Sequence, residues 1–132
     1  MLFKKRNFRR RVSISREAMD GIISYSKIRH PNEAILIVKG KSRDGHIMVD
    51  GLVIPPFSHS GPTFAGFPHS FLPFDMSYVG TVHSHPGGTA EPSVTDLNNF
   101  FGLVSLIIKW PYRDQDIFAW NSKGDGIELS IG

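Results

Sequence analysis

Apolar positions along the chain fall into one helical and several strand-like patterns. Met19, Ile22, Ile23 and Ser26 recur at the i, i+3, i+4, i+7 spacing of a single helix face, with Ser15 ahead of them as N-cap, Glu17 in the first turn and His30-Pro31 as terminator. This predicts an amphipathic helix. Residues 34–38 (Ala-Ile-Leu-Ile-Val) are a continuous apolar run closed by Gly40, and after the turn 42–45 comes a second run over 46–54; together they predict two adjacent strands. Residues 78–85 predict a strand whose end is held extended by Pro86, and a helix is expected from Ser93 to about Phe101. Segments 103–109, 115–120 and 126–131 predict three more strands, the last two joined by a turn at 121–125. Strands interleaved with two helices predict an α/β fold, a mixed sheet packed by helices.

Residues 55–77 break these patterns. Pro55, Pro56, Pro62, Pro68 and Pro73 alternate there with Phe57, Phe64, Phe67, Phe71 and Phe74, which predicts a long loop whose rings either plug the core edge or meet a substrate or partner. With 132 residues, 40% hydrophobic and 20% charged, the chain is expected to form one domain over 1–132. Six of its fifteen basic residues (Lys4, Lys5, Arg6, Arg9, Arg10, Arg11) crowd the start. The remaining nine face twelve acidic residues, so a net charge of +3 conceals a basic segment, 1–12, on a mildly acidic body. That segment is expected to be solvated and frayed, with attraction of an acidic partner as the alternative. It lacks the apolar centre of a secretory signal, no run approaches the ~18 apolar residues of a membrane span, and no basic face is interleaved with aromatics. A cytoplasmic protein is therefore expected, binding neither membrane nor nucleic acid.

The absence of cysteine removes disulfides, thiolate metal ligands and thiol nucleophiles, so any metal must be held by nitrogen and oxygen. His83 and His85, two apart on a predicted strand, leave one face about 7 Å apart along the chain and can converge on one ion. The pair alone leaves a metal site and ordinary surface or core histidines equally open. Ser93 and Asp96 follow after the reversal 86–92, which would set Asp96 in the first helical turn above the strand end. Two imidazoles and one carboxylate leave a fourth tetrahedral position open, as catalytic zinc requires. Ser-x-x-Asp is equally a helix-capping pattern, and capping does not exclude ligation. The other histidines (His30, His46, His59, His69) match no ligand spacing and are expected on the surface or in loops, and Trp110 and Trp120 in core or edge packing.

Residues 81–86 (Thr-Val-His-Ser-His-Pro) followed by 92–96 (Pro-Ser-Val-Thr-Asp) resemble the signature of the JAMM/MPN+ (Mov34/PAD-1-type) metalloisopeptidases, and Glu33, at the start of the first buried strand, matches the upstream glutamate of that family. The resemblance runs from about Ile14 to Leu129. It implies an αβα-layered, cytidine-deaminase-like domain and one Zn2+ per chain held by His83, His85 and Asp96. It further implies Glu33 as general acid and base, Ser93 as hydrogen-bond donor to the oxyanion, and hydrolysis of isopeptide bonds to ubiquitin or ubiquitin-like modifiers. Processing of a sulfur-carrier C-terminus, a non-catalytic scaffold and a homodimer stay open. A true cytidine deaminase is excluded because its cysteine pair is missing.

Overall fold

The computed structural model describes residues 9–56, 58–62, 64–69 and 75–132, with backbone alone at 59, 60 and 64. Lys4, Lys5, Arg6, Phe57, Phe71, Pro73 and Phe74 lie outside the described residues. Chain order is β1 (Arg11–Ile14), α1 (Arg16–Arg29), β2 (Ile35–Arg43), β3 (His46–Val53), β4 (His59–Gly61), β5 (Phe64–Gly66), β6 (Tyr78–His85), α2 (Val94–Asn98), β7 (Val104–Lys109), β8 (Ile117–Trp120) and β9 (Gly126–Ile131). The sheet is mixed and carries helices, as the patterning predicts. β6 runs parallel to β7 and antiparallel to β2. The strand order β1-β3-β2-β6-β7-β8-β9 closes into a barrel because β1 pairs in parallel with both β3 and β9.

Closure through β1 was not anticipated. Arg11 and Val12 were assigned to a frayed basic segment, yet both lie in β1, where Val12 and Ile14 are 1% exposed. Alternation accounts for this: Val12 and Ile14 point inward to Ile47 and Val49, while Arg11 and Ser13 point outward. A strand of four residues is too short for periodicity to stand out against its arginine-rich flank. Ala18, Met19 and Ile22 of α1 bury against the same cluster, which continues through Leu36, Val38, Val82, Leu106 and Ile108. Ser15 caps α1 by accepting the Ala18 N–H at 3.1 Å, as its position predicts.

Three boundaries differ from expectation. β2 does not stop at Gly40 but bulges there, and a Cβ on that residue would lie 1.7 Å from the Met48 carbonyl oxygen, so glycine permits close strand approach rather than ending the strand. α2 ends at Asn98 and buries no residue, so no packed face extends it toward Phe101. The predicted loop 55–77 contains the β4–β5 hairpin, in which Ser60 pairs with Ala65.

Because β1 closes the barrel, Ile14→Ala should destabilise the protein by about 2–5 kcal/mol, the range for truncating a buried isoleucine. Urea denaturation measures this directly. An unchanged midpoint would return the segment to the periphery.

Candidate metal centre

The site grows from one junction in the sheet. Antiparallel pairing sets Ile35 opposite His83, which brings the residues just before β2 alongside the end of β6. There the Ser84 N–H donates to the Ala34 carbonyl at 3.0 Å, and the Ala34 N–H donates to Ser84 Oγ at 2.8 Å. Glu33 is gripped from the other side, its N–H donating to the Gly61 carbonyl of β4 at 2.7 Å. Ser84 faces away from His83 and His85 by strand alternation and is fully buried. Buried Tyr112 lies on the same side of the sheet junction, its Oη 2.7 Å from His30 Nδ1. Tyr112 thus contacts the C-cap residue of α1.

On the opposite face of β6 the His83 and His85 rings stand 5.0 Å apart. Their Nε2 atoms lie 3.2 Å and 3.3 Å from the two oxygens of Asp96. Asp96 is held there by a capping box: its Oδ2 accepts the Ser93 N–H at 2.8 Å, and its own N–H donates to Ser93 Oγ at 3.0 Å. Both meanings of Ser-x-x-Asp are thus present together, since the cap that starts α2 also aims the carboxylate at the histidines. Among the described residues the Ser93 hydroxyl accepts from Asp96 and donates to none, so its proton can be given to a substrate.

This donor set fits a divalent metal. His85 Nδ1 lies 2.7 Å from the Thr89 carbonyl, which can only accept, so Nδ1 is the donor and neutral His85 turns its Nε2 lone pair toward a carboxylate. Two acceptors face each other unless a proton or a cation lies between them. His83 Nε2 is buried and, although 3.2 Å from Asp96, is not aligned for a hydrogen bond; it is the one orphaned buried side-chain polar atom among the described residues. Each imidazole Nε2 thus has one Asp96 oxygen 3.2–3.3 Å away, a spacing that a cation between nitrogen and carboxylate would bridge. Glu33 offers an oxygen that shares a 4.8 Å group with His83 and His85, yet it forms no ion pair with either. It stands one step further out than Asp96, across a cleft of about 230 Å³ that Ser93 and Pro62 also line.

Burial dominates the electrostatics. Glu33 is 6% exposed, and loss of solvent pushes its carboxyl up to about 7, opposed by His85 and reinforced by Asp96. Burial also works against the Asp96 carboxylate, but His83 and His85 outweigh it and hold the group far below the ordinary range. His85 loses solvation too, yet Asp96 and the Thr89 carbonyl raise its pKa overall. A site with one reluctant and one strongly favoured carboxylate has the two kinds of acid that a proton carrier and a ligand require.

A profile of the prokaryotic homologs of the JAB domain matches residues 15–123. The chain belongs to this family. A Haloferax volcanii protein described as a probable metalloprotease is 35% identical over 138 residues, spanning 98% of this chain and 83% of its own length. A JAB1/MPN domain protein from Archaeoglobus fulgidus superposes with a TM-score of 0.67 at 31% identity, covering 90% of this chain and 97% of that one. A structure described as a metalloprotease-like zinc site in the proteasome and signalosome gives the same TM-score and identity, covering 92% and 98%. The matched region of this JAB-family chain holds Glu33, His85, Ser93 and Asp96, which line one cleft, and His83, which faces Asp96 beside it.

Sequence patterns alone did not point to Ser84, Tyr112, His30, Gly61 or Thr89, whose signals exist only through pairings distant along the chain. His30 lies in the turn after α1, partly exposed as expected, and is hydrogen-bonded to Tyr112 and stacked 4.4 Å from Trp110; His46, also partly exposed, opens β3 and pairs with Ser13 at 2.8 Å. Trp120 donates from Nε1 to the Ala90 carbonyl at 2.9 Å, pinning the loop that carries Thr89.

In the metal-free protein the raised Glu33 and His85 pKa values give stability one sign. The folded chain holds the Glu33 proton up to pH ~7 whereas the unfolded chain releases it near 4.5, so this contribution is present below pH 4.5 and lost as pH rises through 7. His85 acts in the same direction above ~6.5, whereas Asp96 costs stability only in strong acid. Urea denaturation in chelator should therefore show lower stability at pH 8 than at pH 5.5. Glu33→Gln should recover roughly 1–3 kcal/mol at pH 8 and flatten the slope. An unaltered slope would mean that Glu33 is not buried as a charge.

Proposed function

We propose that the protein is a zinc-dependent isopeptidase, hydrolysing the bond between the C-terminus of a ubiquitin-like modifier and a lysine amine, with His83, His85 and Asp96 as metal ligands, Glu33 as general base and acid, and Ser93 as oxyanion donor. The observation that carries this reading is the convergence of two imidazole Nε2 atoms on one carboxylate, with a second, buried carboxyl facing the same cleft but set back from them. The metallopeptidase description of the Haloferax relative and the zinc site described for the solved structure support the same chemistry. The modifier substrate rests on the family signature.

When bound, zinc supplies a Lewis acid for the scissile carbonyl and lowers the pKa of the attacking water. The remaining work falls to the chain. Glu33, with a carboxyl tuned to about 7, accepts the water proton and returns it to the departing amine, because a group titrating near neutral pH can do both. Its backbone is fixed by Gly61 and, through Ala34, by Ser84, so the carboxyl is presented at a defined depth in the cleft. Ser93 donates its free hydroxyl proton to the carbonyl oxygen as negative charge develops there. Thr89 holds His85 in the tautomer that presents Nε2, and the α2 cap holds Asp96.

Glu33→Gln should retain about one zinc per chain by elemental analysis while turnover of a ubiquitin-like conjugate falls by at least about a hundredfold. His83→Ala should lose the metal. Zinc lost in Glu33→Gln would make Glu33 a ligand, and activity retained would remove it from the reaction. A wild-type protein that binds zinc but cleaves no conjugate or peptide would be a scaffold.

A further inference from the structure

Trp120 ends β8 with its indole Nε1 donating to the Ala90 carbonyl at 2.9 Å, and the preceding carbonyl, that of Thr89, accepts from His85 Nδ1 at 2.7 Å. Two successive carbonyls of one loop are therefore engaged, one by the sheet and one by a histidine. Little else holds that loop, residues 86–92. Ala90 is its one buried residue, Gly87 and Gly88 are exposed, and a Cβ on either would meet nothing within 4 Å. The Glu91 N–H approaches Thr89 Oγ1 at 3.4 Å, a contact that stays within the loop. Paired glycines have the most backbone freedom to lose, and a segment with few buried contacts opens at low cost. Trp120, by contrast, stands on a strand paired on both sides, opposite Ser105 of β7 and Gly126 of β9. The turn after it abuts α2, since a Cβ on Gly124 would lie 3.5 Å from Leu97 Cδ1, one residue past Asp96. We infer that Trp120 is a positioning residue of the metal centre: through Ala90 and Thr89 its indole N–H holds the His85 ring with Nε2 toward Asp96, and so sets how tightly zinc is bound. The inference rests on the ligand assignment above.

Packing of the indole ring does not account for the contact. Trp120 is half-buried, lies outside the hydrophobic cluster of the barrel, and borders an open groove of about 320 Å³ beside Phe118 and Lys109. Its N–H can therefore be removed with little loss of core. The effect on the metal is of a different order, because an imidazole serves as a ligand only while its ring is turned the right way. Once Thr89 is released, the His85 ring can rotate Nε2 away from Asp96. Partners that orient a metal-binding histidine are worth about 10–100-fold in affinity. Trp120 acts one step further out, through the loop, which puts its contribution at the lower end of that range.

The test uses the full chain and Trp120→Phe, which keeps an aromatic ring and removes the N–H. In competition with a chromophoric chelator the zinc dissociation constant should rise about fivefold to tenfold, the size of one net hydrogen bond, while the urea midpoint of the metal-free protein stays within error. Nuclear magnetic resonance of protein with isotopically labelled histidine separates positioning from general loosening: the His85 Hδ1 proton should exchange with solvent at least about fivefold faster in the variant. Trp110→Phe, which removes the other tryptophan of the chain, should alter neither reading. Trp120→Leu provides the same test if Trp120→Phe does not fold. Zinc affinity within about twofold of wild type, unchanged Hδ1 exchange, or an equal loss in Trp110→Phe would overturn the inference. If the wild-type protein binds no zinc, the ligand assignment fails by itself, and Hδ1 exchange in the metal-free chain then decides. Faster exchange in Trp120→Phe upholds the positioning of His85, and equal exchange overturns it.

Discussion

The two-way hydrogen bond between Ser84 and Ala34 is the constraint on which the site depends. It is an unusual junction because backbone and side chain of one residue close on the same partner, Ser84 giving its N–H to the Ala34 carbonyl and taking the Ala34 N–H on its hydroxyl. Ser84 lies between the two histidines, and Ala34 follows Glu33, so one contact fixes the position of Glu33 relative to His83 and His85. Loss of one partner would leave a buried N–H or hydroxyl unsatisfied, a cost of about 1–3 kcal/mol that keeps the junction in a single arrangement. Precision at the reactive face is thus set from the protected face of the same strand.

The reactive face is held in the opposite condition. A buried imidazole nitrogen without an aligned partner, a carboxylate aimed at two imidazoles, and a glutamate kept from ionising by burial are each unfavourable in the metal-free chain. A cation between the histidines and Asp96 would relieve the first two and leave the third available for proton transfer. The outer structure, from the capping box to the Thr89 carbonyl, holds these groups in place when no ion compensates them. Closure of the barrel through β1, with the core behind it, provides the rigidity this demands.

Much of the fold could be read from the chain because its signals are local. The spacing of Met19, Ile22 and Ser26 marks α1, and the apolar runs mark β2, β6 and β7. The site was legible for a different reason: His83, His85, Ser93 and Asp96 fall within fourteen residues, so their spacing survives in one dimension. Glu33 stood out only through the family signature, since a lone acid before a strand has many ordinary explanations. What escaped is non-local. β1 is four residues long inside an arginine-rich stretch and acquires meaning only when β3 and β9 flank it. Gly40 reads as a terminator until the Met48 carbonyl is seen pressed against it. Tyr112 and His30 are 82 residues apart and show no common pattern until their side chains meet.

For Glu33 to move a proton while His83, His85 and Asp96 hold zinc, its carboxyl must stay outside the coordination shell. Anomalous scattering at the zinc edge from crystals of the zinc-loaded protein tests this most directly. A single strong peak is expected about 2.0–2.2 Å from His83 Nε2, His85 Nε2 and an Asp96 oxygen, with the nearest Glu33 oxygen beyond bonding distance. A peak bonded to Glu33, or one away from the two histidines, would contradict it.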